Sequence, residues 1–165
     1  MFTLENVDRI IQNIVVQLLP SQNLFKCLKY SSADALSQED ISDNEKIEMF
    51  DQSNKEKTKV FFTPLSPNVS DTAGSELRIY IRNIKPNNIY LTNVDISIQV
   101  ICSNSVWRMD EGRQRPLVML QEIISQLNGV DIGFIGQLFF ERDIRIIPHN
   151  DYYTGYELIP STRSI

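Results

Sequence analysis

Histidine, cysteine and glycine are scarce in this 165-residue sequence, at one, two and six residues. The single histidine, His149, lies in the turn-like stretch Pro148-His149-Asn150-Asp151. A general base working with Asp151 or Tyr153 is one reading of it, and a surface-loop histidine is the simpler one. Cys27 and Cys102 are too far apart in sequence to form a CxxC pair or a metal-ligand spacing. They read as reduced core thiols of a cytosolic protein, with a disulfide between them left open. Gly129, Gly133 and Gly136 fall across a helix end and a strand start, which gives neither a phosphate-cradling loop nor a dinucleotide fingerprint. No serine stands in a nucleophile elbow. Asp40, Asp43 and Glu45 lack the glycine and terminal glutamate of a calcium loop and read as a solvated acidic face. No catalytic residue, cofactor site or metal site is therefore expected, and the chain is not read as an enzyme.

Basic charge and long apolar runs are also missing. The formal net charge is -5 and the sequence pI about 4.9, which argues against a general nucleic-acid binder. No apolar run approaches the ~20 residues of a membrane span. Glu5 and Asp8 stand where a secretory signal would carry basic residues, so no signal peptide is expected, and the sequon Asn68-Val69-Ser70 reads as chance.

What is present is strong patterning. Hydrophobic residues make up 42% and charged residues 22%, ordinary values for a globular chain long enough to bury a core. Leu77, Ile79 and Ile81 alternate with Arg78, Tyr80 and Arg82, and Val94, Ile96, Ile98 and Val100 alternate with Asp95, Ser97 and Gln99. With Lys85-Pro86-Asn87-Asn88 between them, the two runs predict a long half-buried hairpin over 76–102. A hairpin alone is marginal in water, so it needs further strands and a covering helix.

On one side of it, Leu4, Val7, Ile11, Ile14, Val15 and Leu18 predict a helix over 4–19, with Ile10, Val16 and Leu19 widening its stripe and Pro20 ending it. Leu24, Phe25, Leu28 and Tyr30 read as a short second helix or as the first strand, with the helix favoured. The segment 31–59 is polar and reads as the least ordered part of a free monomer, with Leu36, Ile41, Ile47, Met49 and Phe50 as anchors and a helix near 39–50. Val60-Phe61-Phe62 begins a strand. On the other side, Pro116 suits a helix first turn, Leu117 to Leu127 carry helical spacing, and Asn128-Gly129 supply a stop. Further strands are read at 135–141, around Ile144 and Ile146, and at 156–159 after a 148–155 loop. The whole chain, 1–165, reads as a single α+β domain: a curved antiparallel sheet with a long hairpin, packed by an N-terminal helix and one later helix.

The run RPLVMLQEIISQLNGVDIGFIGQLFF from Arg115 to Phe140, followed by DYYTGYEL at Asp151–Leu158, resembles the C-terminal half of phage tail-terminator or neck (head-to-tail joining) proteins. The order of elements resembles theirs over most of the chain. The resemblance implies a structural virion protein assembled in the host cytoplasm, a homohexameric ring that caps the tail tube and meets the head-tail connector. It implies no enzymatic residues. An acidic lumen would let DNA pass without sticking. Contact regions expected on this reading are the hairpin tip Lys85, Pro86, Asn87 and Asn88, the connector Arg113 and Arg115, and the loop bearing Tyr152, Tyr153 and Tyr156. Alternatives are another head-completion or tube-like structural protein, or a small enzyme using His149.

Overall fold

The computed structural model describes residues 4–65, 73–86, 92–133 and 135–163. Its architecture is α+β. Four α-helices are present among these residues: α1 (Leu4–Leu18), α2 (Gln22–Lys29), α3 (Asp43–Glu48) and α4 (Arg115–Leu127). The strands are β1 (Val60–Phe61), β2 (Ser75–Pro86), β3 (Thr92–Ser103), β4 (Gln137–Phe139), β5 (Arg145–Pro148), β6 (Tyr153–Leu158) and β7 (Ser161–Arg163). A five-stranded sheet runs in the order β1-β2-β3-β6-β5, and β4 pairs with β7 in a small second sheet. The large sheet is antiparallel except at β1, which joins β2 in parallel and makes it mixed.

The helices form where the patterning places them. α1 stops before Pro20, and Ser21 caps α2 by accepting the Leu24 amide. One face of the sheet, carrying Leu77, Ile79, Ile96, Ile98, Val100 and Cys102, forms a continuous core with Ile10, Ile14 and Leu18 of α1, Leu24 and Phe25 of α2, and Met119 and Ile123 of α4. Cys27 and Cys102 are both free thiols in this interior. Burial pushes them up to about 11 and about 12, so both stay protonated.

Residues 31–59 are pinned at a few points. The Ile41 amide donates to Gln22 Oε1 at 2.9 Å, and Gln22 Nε2 donates back to the Ile41 carbonyl at 3.1 Å. Ser42 and Glu45 close a capping box at the start of α3. Ile41 and Met49 are buried as expected, but Ile47 is 59% exposed. Its place is taken by Lys46, whose ammonium lies 5.5 Å from the Phe25 ring centroid and donates to the Leu19 carbonyl at 2.8 Å. A long aliphatic stem with a satisfied tip can fill an interior position that sequence patterning assigns to an apolar residue.

Candidate assembly surface

The hairpin is longer than the sheet that supports it. β2 and β3 pair from Ser75 opposite Cys102 out to Pro86 opposite Thr92, with a register shift between Ile81 and Asn83. β6 covers β3 only over Ile98–Ser103, and β1 covers β2 only at Leu77 and Arg78. Beyond those points the two strands have only each other on the sheet side among the described residues. Val94 and Ile96 join the helix-side core, which supports the hairpin from below.

Beside the open edge of β2 lies an apolar groove of about 990 Å³. Val7, Ile11, Val15 and Val16 of α1 form one wall, and Tyr80 and Ile81 of β2 the other. Phe50 and Phe62 stack within it at 6.4 Å between centroids. Val16 therefore does not join the buried stripe of α1; it is 58% exposed at the groove.

The face of the sheet away from the helices is polar, closed around Arg78 and Gln99 and exposed toward the hairpin tip at Arg82, Asn83 and Lys85. Arg78 and Ser97 are fully buried, and Glu76 and Gln99 nearly so. Arg78 Nε donates to Glu76 Oε1 at 2.6 Å, its Nη1 donates to the Pro64 carbonyl at 2.9 Å, and its Nη2 lies 3.5 Å from His149 Nε2. Next along this face, Gln99 Nε2 donates to the Tyr80 hydroxyl at 2.8 Å and to Glu157 Oε1 at 3.2 Å, and the Ser97 hydroxyl donates to the same Glu157 oxygen at 2.7 Å. Burial, and then the Arg78 charge, hold the His149 imidazole below its ordinary value against an opposing pull from Glu76. A neutral imidazole beside a guanidinium accepts a hydrogen bond, which suits His149 to completing this network.

The YomW family model matches residues 21–162. The chain belongs to the YomW family. This family is phage-associated. Searches of curated proteins and of solved structures gave no match. Among the described residues no helix of this YomW-family chain is long and apolar enough to cross a membrane.

The contact residues expected from sequence separate into two groups. Lys85 is exposed at the far end of β2, the Pro86 backbone still pairs there, and Asn87 and Asn88 lie outside the described residues. Arg113 is exposed, in an ion pair with Glu111 at 2.8 Å. Tyr152 is 63% exposed. Arg115, by contrast, is wholly buried and cannot touch a neighbour. Its Nε donates to the Val106 carbonyl at 2.9 Å, Nη1 to Cys27 at 3.1 Å and also to Tyr30, and Nη2 to Ser32 at 2.7 Å. The stretch from Tyr153 to Tyr156 is not a loop but part of β6. Tyr153 is buried, and Tyr156 is half-buried with its ring 6.0 Å from that of Trp107. The groove itself left one trace in the sequence, a stripe on α1 wider than a single buried face requires.

Proposed function

We propose that this YomW-family chain is a structural virion protein whose copies form a ring, as a homohexamer, at the phage head-tail junction. The ring caps the tail tube and joins it to the head connector, as a tail terminator does. The observation that carries the reading is a sheet with two edges that no strand covers among the described residues, one of them the long arm of β2. Monomeric proteins blunt or cover such edges, whereas subunits of an assembly use them. Membership of a phage-associated family and the order of elements support it further. On this reading the partners are copies of the chain, the tail tube protein and the connector. DNA passes through the lumen, and no cofactor or membrane takes part. His149 then serves the fold of the sheet rather than a reaction. Mixing the purified protein with tail tubes that lack a cap, and imaging them, tests this directly. Density at one end of each tube is the expected result. Binding to DNA-filled heads and not to tubes would move the protein to a head-completion role, and binding to neither would refute the junction reading.

A further inference from the structure

We infer that Asn128-Gly129 is a site of spontaneous deamidation that the docking of β4 holds shut, so that a chain that loses this docking is marked irreversibly. The inference stands apart from the ring reading.

The reactivity comes from the sequence. Asn128 is the one asparagine of this chain that glycine follows. In such a pair the backbone nitrogen of the second residue can attack the side-chain carbon of the first, because no Cβ shields it. The structure gives the reason for glycine at this place. α4 ends at Leu127, the Asn128 amide donates to the Ile124 carbonyl at 2.9 Å, and Gly129 turns the chain with φ 76°. A side chain at that φ would be strained, so one residue supplies both the helix stop and the reactive pair.

Deamidation begins with a bond from the Gly129 nitrogen to Asn128 Cγ. The carboxamide nitrogen leaves as ammonia, taking the Gly129 proton, and a succinimide remains. Water then opens it at either carbonyl, giving aspartate or isoaspartate. The native geometry blocks the first bond. Asn128 has φ −69° and ψ 122°, which turns the Gly129 nitrogen away from the side-chain carbon. The Gly129 N–H donates to the Leu138 carbonyl at 2.7 Å, and the Leu138 amide donates to the Val130 carbonyl at 3.1 Å. Asn128 Oδ1 accepts the Phe140 amide at 3.2 Å. Both reacting groups are therefore held by β4 and the residue after it. β4 is anchored in turn by its pairing with β7 and by Leu138, which is fully buried in the core. Bringing the nitrogen round requires a backbone rotation at Asn128 that breaks the bond to Leu138, so reaction waits on local opening.

The products do not fit the closed state. Isoaspartate routes the main chain through the side-chain carbons, which adds an atom before Gly129 and puts it out of step with Leu138. Aspartate places a negative charge at the C-terminal end of α4, where the helix dipole disfavours it. A chain modified while open therefore docks β4 poorly afterwards.

Peptide mass spectrometry after incubation in warm, mildly alkaline buffer tests this, with isoaspartate read by enzymatic methylation. In urea that unfolds the chain, deamidation should concentrate at Asn128 and disappear from that position in Asn128→Gln. The native chain should react there at least about tenfold more slowly, with amide exchange at Gly129 slowed as well. Chains modified in urea and returned to buffer should exchange their amides along β4 faster than unmodified ones. Native deamidation at the urea rate, or a Gly129 amide that exchanges as fast as in the unfolded chain, would overturn the protection by β4. Reaction in urea with no preference for Asn128 would overturn the site itself. Equal protection of β4 in modified and unmodified chains would overturn the marking.

Discussion

Arg115 ties distant parts of the chain together through four backbone carbonyls, one in the last turn of α2, two just beyond it and one at Val106 in the turn after β3. Removing it strands those acceptors in the interior, each at a cost of about 1–3 kcal/mol. Arg115→Ala should therefore destabilise the fold by about 3 kcal/mol or more in urea unfolding, and Arg115→Lys should recover only part, because an ammonium cannot match the fork of donors. His149 gives a pH dependence. Its folded-state value lies below the ordinary 6.5, so the fold favours the neutral ring. Stability should be complete above pH 6.5 and decline as the pH falls through the folded value, and His149→Gln should remove that component of the acid limb. The two thiols, buried and held protonated, should resist a thiol reagent in the native state and both react in urea. Little of this was legible in the sequence. Alternation marks one face of β2 and β3 as apolar, but it cannot say that the other face is also closed, so Arg78 looked solvated. Arg115 looked like a surface connector because nothing local reveals which carbonyls fold around it.

Elements were more legible than side-chain roles. Periodicity alone locates α1, α4 and the β2–β3 hairpin, because each buries one regular face, whereas it left the short α2 open between a helix and a strand. Short strands were harder. β7 has three residues and exists only because β4 offers it an edge, and the strand read at 156–159 begins at Tyr153 because β3 and β5 pair with it on both sides. Gly155 is the point on which that pairing turns. A Cβ there would collide with the Val100 carbonyl and come within 2.8 Å of Ile101 Cδ1. Gly155→Ala should thus cost about 3 kcal/mol, with amide exchange rising first along β6. In α3 the capping box makes a milder test. Ser42→Ala should cost about 1 kcal/mol in the same unfolding measurement.

At the scale of the whole molecule, the sheet is covered on its helix side, closed by a polar network around Arg78 and Gln99 on the other, and has two edges that no strand covers among the described residues. The sequence suggested self-association through the hairpin, but it could not show the groove, whose walls come from α1, the turn after α3, and β2. The formal net charge of -5 is in keeping with the proposed ring, through whose lumen DNA would slide, since like charges weaken binding to phosphate. The most direct test of this account is the native mass of the purified chain by light scattering, with negative-stain images of the same peak. The account predicts closed rings whose mass is a fixed multiple of 19.1 kDa, six copies on the homohexamer reading. A chain that remains a monomer at high concentration, with and without the tail tube protein, would contradict it.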